Sequence, residues 1–146
     1  MKRTTNENSP LSGYRILDLS DEKGLFCSRL LADIGAKVIR IDRPETRLSQ
    51  KQVIEINNLG KQSLTLNLEI EAGREIFRRL IETADVVVES YPPGYLDNLG
   101  LGYRSLAEIN PRLIMAAITP FGQNGPYRDY HSDDIVAAAL GGQLFI

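Results

Sequence analysis

The sequence predicts an α/β fold built on a doubly wound, mainly parallel sheet. Short apolar runs alternate along the chain with segments of helical periodicity, which is the order that a parallel sheet with crossover helices requires. The clearest strand is Val86-Val87-Val88, bounded by Asp85 and Glu89, as is typical of a central strand buried on both faces. The clearest helix spans residues 71–83, and Phe77, Leu80, Ile81 and the following Ala84 keep the spacing of one buried apolar stripe.

The other elements follow from the same patterns. We expect further strands near residues 14–19, 38–41, 63–68 and 113–118, and helices or helical turns near residues 25–34, 95–99, 105–109 and 134–144. Gly35 is placed to end the first helix as a C-terminal cap. In that helix an apolar face is expected to be buried, with Cys27 beside it as a small buried side chain; the face consists of Phe26, Leu30, Leu31 and Ile34.

We expect one domain over residues 11–146. Residues 1–10 are polar and are interpreted as a flexible tail, and residues 44–55 lack periodicity and are interpreted as a mobile loop. The apolar ending Leu144-Phe145-Ile146 has no cap and no polar tail, so the domain is expected to be truncated at its C-terminal end.

Composition narrows the function classes. The chain has 146 residues, of which 42% are hydrophobic and 25% charged, as expected for one soluble domain. A net charge of −2 argues against general nucleic-acid binding, and the chain shows neither an apolar run of membrane-spanning length nor a signal-peptide pattern. A single cysteine excludes an internal disulfide and favours the cytoplasm. One histidine and one cysteine do not predict a His/Cys metal cluster.

Two basic residues stand where an open α/β sheet binds its ligand. Arg43 and Lys61 lie near the ends of predicted strands, and cations around that crevice suit a phosphorylated cofactor. Each residue alone is more commonly a solvated surface charge. The segment Gly100-Leu101-Gly102 lacks the third glycine of a dinucleotide fingerprint and follows a helix rather than a first strand. Asp18 and Asp42, at strand ends, are more commonly caps or salt-bridge partners than catalysts.

Seven segments, in this order, carry a family resemblance: 17–20, 30–39, 61–68, 84–89, 93–94 with 99–101, 110–114 and 121–127. They include Leu17-Asp18-Leu19-Ser20, Asn110-Pro111-Arg112 and Phe121-Gly122-Gln123-Asn124-Gly125. Together they resemble the N-terminal part of a class III CoA-transferase, the family of formyl-CoA transferase, carnitine CoA-transferase and α-methylacyl-CoA racemase. The resemblance runs from about residue 11 to residue 146 and implies part of a Rossmann-like large domain.

The resemblance implies a reaction and its partners. An enzyme carboxylate attacks an acyl-CoA thioester, an aspartyl-CoA intermediate forms, and a carboxylic acid accepts the CoA. Coenzyme A is then substrate and product, no metal is needed, and the complete enzyme is a homodimer or a heteromer. The implied CoA-contacting positions are Ser20, Asp21, Arg43, Lys61, Ser90 and Tyr91.

Several positions depart from the family pattern. Ser90 replaces a common asparagine, and Asn98 replaces a common arginine. Asp133 stands where the racemase branch has its acid/base histidine, which disfavours a racemase. Asp134 matches an auxiliary acid of transferases. The nucleophilic aspartate of the family lies downstream of residue 146, so no catalytic nucleophile is expected within this chain.

Three hypotheses remain. The chain is an N-terminal fragment of a CoA-transferase, inactive alone; or it is a CoA-binding or regulatory module completed by a second polypeptide; or, less favoured, it is a degenerate acyl-CoA racemase-like protein.

Overall fold

The computed structural model describes residues 9–44 and 56–143 and contains one sheet of five parallel strands in the order β3-β2-β1-β4-β5. The predicted α/β fold with a parallel sheet is therefore confirmed. The strands are β1 (Arg15–Leu19), β2 (Lys37–Asp42), β3 (Gln62–Thr65), β4 (Val86–Glu89) and β5 (Ile114–Ala117).

Helices lie between β1 and β2, between β3 and β4 and between β4 and β5, as the sequence predicts, and a further helix follows β5. They are α1 (Leu25–Asp33), α2 (Glu71–Ile81), α3 (Tyr95–Asn98), α4 (Tyr103–Ile109) and α5 (Asp134–Leu140). Gly35 follows α1 with φ of +106°, a left-handed conformation that suits the predicted glycine cap. The interpretations of residues 1–10, 44–55 and 144–146 fall wholly or mostly outside the described residues.

The core occupies both faces of the sheet because successive strand residues point to opposite sides. The larger cluster joins Leu17 and Val87 to Phe77 and Ile81 of α2. A smaller cluster on the other face contains Ile16, Ala36, Val38 and Val88, packed against Leu31 and Ala32 of α1. Strands β1 and β4 are thus buried on both faces, as the apolar run Val86-Val87-Val88 predicts for β4.

Helix α1 departs from the predicted burial. Phe26, Leu30 and Ile34 form a stripe that is exposed, with 62% of the Phe26 surface accessible, whereas Leu25 and Ser28 are buried. Cys27 is also exposed, so the expectation of a buried thiol is wrong. The spacing correctly identifies an apolar stripe on one face of α1. The sheet covers the neighbouring face of the helix, which carries Leu25 and Ser28.

Two close contacts fix the two ends of α2 to neighbouring connecting segments. At its C-terminal end the buried Asn110 side chain donates hydrogen bonds to the carbonyls of Ile81 (3.0 Å) and Ala84 (2.7 Å). Near its beginning Gly73 is buried against the backbone of Asn67, where an added Cβ would lie 1.7 Å from the Asn67 carbonyl oxygen. A side chain at position 73 would therefore push the helix away from the chain that leaves β3.

The strand order creates a topological switch point at β1. The chain runs outward from β1 to β2 and β3, then returns through α2 to place β4 on the other side of β1. The loops after β1 and β4 diverge above their carboxyl ends, and open α/β sheets bind ligands in the crevice that this divergence leaves.

We predict that Gly73→Ala destabilises the protein by about 1–3 kcal/mol because of overpacking. Helix propensity alone favours alanine over glycine by about 1 kcal/mol, so the expected sign is opposite to the propensity effect. Urea unfolding measures the change. The control is Ala72→Gly, at an exposed neighbouring position of α2, which should cost only the propensity difference. A more stable Gly73→Ala protein would contradict the close approach.

Candidate binding crevice

A crevice of about 310 Å³ lies at the switch point, above the carboxyl ends of β1, β2 and β4. Its walls come from the β1–α1 turn, the end of β2 and the β4–α3 turn, and they include Ser20, Asp21, Arg40, Asp42, Arg43, Ser90 and Tyr91. Five of the six positions predicted to contact CoA therefore line one cavity.

Arg43 lies at the β2 side of the crevice on a pair of aromatic rings. Its guanidinium carbon is 4.4 Å from the ring centre of Tyr91 and 5.1 Å from that of Tyr95, and the two rings are 4.7 Å apart. Tyr95 donates a hydrogen bond to Glu69, and burial raises the pKa of Tyr95 to about 12, with the carboxylate of Glu69 adding to the shift. Arg43 Nε also donates to the Tyr91 hydroxyl (3.4 Å), and among the described residues Arg43 forms no ion pair.

A buried carboxylate, Asp18, lies directly beneath the crevice in β1. Its Oδ1 accepts hydrogen bonds from the Ser20 amide (3.0 Å) and the Ser20 hydroxyl (2.6 Å), and its Oδ2 accepts one from the Ser28 hydroxyl (2.6 Å). Burial by itself would raise the pKa of Asp18. The hydrogen bonds from Lys61, Ser20 and Ser28 and the charge of Lys61 outweigh this effect, so the pKa lies below its ordinary value.

Lys61 provides the charge that compensates Asp18. Its Nζ donates to Asp18 Oδ2 (2.8 Å), to the Leu25 carbonyl (3.1 Å) and to the Ser28 hydroxyl (2.7 Å), which uses all three ammonium protons. The Lys61 side chain is 1% exposed, that of Asp18 is 0% exposed, and neither lines the crevice. The predicted contact between Lys61 and a phosphate would require Lys61 to leave Asp18.

Arg40 completes this charge network. Its Nε donates to Asp42 Oδ1 (2.9 Å), while its Nη1 lies 3.5 Å from Asp18 Oδ1 and also donates to the Ser20 carbonyl. Two cations, Lys61 and Arg40, thus match two carboxylates, those of Asp18 and Asp42. Arg40 lines the crevice, but its charge is already compensated.

The two walls of the crevice are linked by one hydrogen bond. The Asp21 amide donates to the Ser90 hydroxyl (2.6 Å), which joins the β1–α1 turn to the β4–α3 turn. Burial alone would raise the pKa of the Asp21 carboxyl, but hydrogen bonds and the positive charge of Lys23 lower it below its ordinary value. The serine that departs from the family pattern therefore has a defined contact.

A second buried carboxylate, Glu89, lies at the end of β4. Its Oε2 accepts a hydrogen bond from the Tyr91 amide (2.7 Å), and it faces a separate cavity of about 330 Å³. Burial raises the pKa of Glu89; the Tyr91 hydrogen bond opposes the shift, and the negative charges of Asp97 and Asp21 increase it. Glu89 forms no ion pair within the described residues, in contrast to Asp18.

The two acids at the beginning of α5 lie outside the crevice. Asp133 precedes the helix and lines a neighbouring cavity of about 480 Å³, which also contains Lys23, Arg128 and His131 and shares Asp21, Ser90 and Tyr91 with the crevice. Asp134 is exposed at the first position of α5. Its predicted auxiliary role stays a prediction.

Sequence patterns did not single out Arg40, Glu89 or Tyr95, whereas Asp18 is the salt-bridge partner that its position predicted. Arg40 is itself a lining residue, Asp18 and Glu89 bond to lining residues from below, and Tyr95 supports Arg43. One usable signal was Asp18 itself, because a charge between Leu17 and Leu19 in a strand buried on both faces requires compensation.

The described segments contain neither a metal-binding cluster nor a membrane-spanning helix. Over residues 9–44 and 56–143 no group of three acidic, histidine or cysteine side chains is arranged to hold a metal ion. Within the same ranges no helix combines the length and apolar character needed to cross a bilayer.

We predict that Glu89→Gln stabilises the protein at neutral pH. The folded-state pKa of Glu89 is raised, so its contribution to stability is present below the pKa of the unfolded chain and is lost as the pH rises through the folded value. Glutamine is neutral and can still accept the Tyr91 hydrogen bond. The stability gain of the variant should therefore grow with pH and then level off.

Urea unfolding of both proteins across pH 4–8 measures this gain. Glu75→Gln, at an exposed position of α2, is the matched control and should show no comparable growth with pH. A Glu89→Gln protein that is less stable than wild type by the same amount at every pH would show that burial does not penalise this carboxylate.

Comparison with known proteins relates the sequence and the fold of this chain to one family. The profile of CoA-transferase family III matches residues 11–146. The chain is 36% identical to succinyl-CoA:(R)-benzylsuccinate CoA-transferase subunit BbsE of Thauera aromatica, over 92% of this chain and 36% of that protein. It is 38% identical to acetyl-CoA:oxalate CoA-transferase of Acetobacter aceti, over 91% of this chain and 37% of that protein.

A crystal structure of Rv3272 from Mycobacterium tuberculosis superimposes with a TM-score of 0.84 at 37% identity, covering 92% of this chain and 40% of that one. The chain therefore spans well under half the length of these relatives. Because the family profile covers nearly all of the sequence and the fold agrees with that of the solved relative, this chain belongs to CoA-transferase family III.

Proposed function

We propose that this chain forms the coenzyme A half-site of a CoA-transferase that moves CoA between an acyl-CoA and a carboxylic acid. The observation that carries the proposal is the crevice at the β1/β4 switch point, with Arg43 on its aromatic support. Relatives named as CoA-transferases supply the reaction class. The contacts are proposed to come from Ser20, Asp21, Arg43, Ser90 and Tyr91.

The crevice offers the two kinds of contact that a CoA nucleotide requires. Arg43 has no ion pair among the described residues and presents a planar surface, so it suits a phosphate or an adenine ring. Ser20 and Ser90 offer hydroxyl groups, and the charge of Asp21 is offset by Lys23. Lys61 is assigned no direct contact, because its ammonium protons are used by Asp18, Ser28 and Leu25.

The proposed reaction proceeds through a carboxylate nucleophile. The carboxylate attacks the acyl-CoA thioester to form a mixed anhydride and CoA thiolate, and the thiolate then attacks the aspartyl carbonyl, which forms aspartyl-CoA and releases the donor acid as its carboxylate. The acceptor carboxylate displaces the thiolate from aspartyl-CoA to form a second mixed anhydride, and thiolate attack on the acceptor carbonyl gives the new acyl-CoA and frees the aspartate. The family resemblance puts this aspartate downstream of residue 146. The 146 residues are therefore proposed to bind the coenzyme but not to turn it over alone.

A second candidate, a module completed by another polypeptide segment, is favoured by helix α5. None of its residues is buried, and Ile135 and Leu140 are exposed apolar side chains. An exposed apolar helix of this kind is typical of a surface that is covered by another polypeptide segment. A multimeric assembly, homomeric or heteromeric, is part of this proposal, and BbsE is itself named as a subunit.

We predict that Arg43→Ala weakens CoA binding about tenfold, since it removes both a charge and a stacking surface. Arg43→Lys should recover only part of the affinity, because lysine keeps the charge but lacks the planar guanidinium. Calorimetric titration with CoA measures both variants. Arg79→Ala, on the exposed face of α2, is the matched control for loss of an arginine. Equal CoA affinity in Arg43→Ala and wild type would remove the crevice from the proposed site.

We also predict that the chain alone does not transfer CoA. The test mixes it with succinyl-CoA or acetyl-CoA and a second carboxylic acid, and follows the new thioester by chromatography. Turnover would contradict both the placement of the nucleophile outside these residues and the module hypothesis. CoA binding without turnover is the expected result.

A further inference from the structure

We propose that Asp18 and Lys61 are positioning residues that hold the Ser20–Asp21 wall of the crevice in its binding geometry. This inference rests on the proposed CoA site. Both side chains are buried and neither lines the crevice, so their effect on a ligand must pass through the residues that they hold. Lys61 thus acts on a ligand indirectly, through Asp18 and Ser20, and not by contact with a phosphate.

The contacts form a continuous path from Lys61 to the far wall of the crevice. Lys61 bonds to Asp18, and Asp18 accepts both the amide and the hydroxyl of Ser20. Directly after Ser20, the Asp21 amide donates to the Ser90 hydroxyl across the switch point. The position of the Ser20–Asp21 peptide, and with it the separation of the two walls, therefore depends on the Asp18 carboxylate.

The effect of losing Lys61 follows from the remaining charges. Asp18 would stay buried with Arg40 as its nearest cation, at 3.5 Å, while Arg40 also bonds Asp42 and the Ser20 carbonyl. An unpaired buried carboxylate is strongly unfavourable, so Asp18 would take up a proton or draw Arg40 toward itself. Protonation weakens Asp18 as an acceptor for the Ser20 amide and hydroxyl, and movement of Arg40 disturbs its hydrogen bond to the Ser20 carbonyl.

A purely stabilising role makes a different prediction from a positioning role. Replacing a buried ion pair by apolar side chains of similar size is commonly neutral or stabilising, whereas removing one partner is strongly destabilising. A double apolar variant should therefore recover stability. It cannot recover the bonds to Ser20, because leucine at position 18 has no acceptor.

The test compares Lys61→Met, the double variant Asp18→Leu/Lys61→Met, and Ser28→Ala, which loosens the pair but keeps both charges. Lys37→Met, an exposed lysine at the opposite end of the sheet, is the control for loss of a positive charge. For each protein we would measure the CoA dissociation constant by calorimetry, the urea unfolding midpoint, and amide hydrogen exchange at Ser20 and Asp21. The Val87 amide, in the centre of β4, serves as the internal reference for exchange.

We expect the CoA dissociation constant to rise about tenfold in Lys61→Met and in the double variant. Exchange at Ser20 and Asp21 should accelerate relative to Val87 in both, while the double variant regains most of the unfolding midpoint lost in the single one. Ser28→Ala should change affinity and exchange in the same direction by a smaller factor, and it keeps the test decisive if the other variants do not fold. Lys37→Met should match wild type.

Two failures are distinguishable. If folded variants bind CoA and exchange Ser20 and Asp21 as wild type does, the pair has no positioning role and the inference is overturned. If wild type itself does not bind CoA, the proposed function fails. Exchange at Ser20 and Asp21 then still decides whether the pair holds the turn, because that measurement needs no ligand.

Discussion

The carboxylate of Asp18 sets the condition that the carboxyl edge of the sheet must satisfy. A charged group inside the central strand loses its hydration. The free-energy cost of that loss is large unless hydrogen-bond donors and a countercharge replace the water. Here the replacement comes from separate parts of the chain: Ser28 from α1, Arg40 from β2 and Lys61 from the turn before β3. The Asp18 carboxylate thus brings α1, β2 and the turn before β3 together. The same carboxylate holds the turn at Ser20, which forms one wall of the crevice.

The two buried acids at the switch point, Asp18 and Glu89, make the same kind of hydrogen bond to the backbone but have different electrostatic surroundings. Asp18 accepts the amide of Ser20, and Glu89 accepts the amide of Tyr91, so each acid holds the residue two positions further along its own turn. Asp18 has a buried cation and a lowered pKa, whereas Glu89 has no ion pair among the described residues and a raised pKa. The β1–α1 wall of the crevice is therefore held by Asp18, which is ionised at neutral pH. The β4–α3 wall is held by Glu89, whose ionised form is disfavoured by burial.

The sequence could predict the fold and the location of the crevice, because both depend on local patterns. Apolar runs separated by helical segments specify a parallel sheet, and Ser20, Arg43 and Ser90 follow directly after strands, where the carboxyl edge must be. The direction of the Lys61 side chain could not be predicted in this way, since it depends on a buried charge 43 positions earlier in the chain. The exposed stripe of α1 was missed for a related reason: periodicity identifies an apolar face but not the surface that covers it.

The closed charge network also determines what the crevice can offer a phosphorylated ligand. Lys61 and Arg40 are matched by Asp18 and Asp42, so Arg43 is left as the lining cation without an ion pair in the described segments. Arg43 is itself held against Tyr91 and Tyr95, where a planar guanidinium presents a surface as well as a charge. Recognition of a nucleotide by this part of the chain would then rest on stacking and on the fixed turn as much as on charge. Such a site depends on correct geometry more than on the number of its cations, which is why the buried residues beneath it matter.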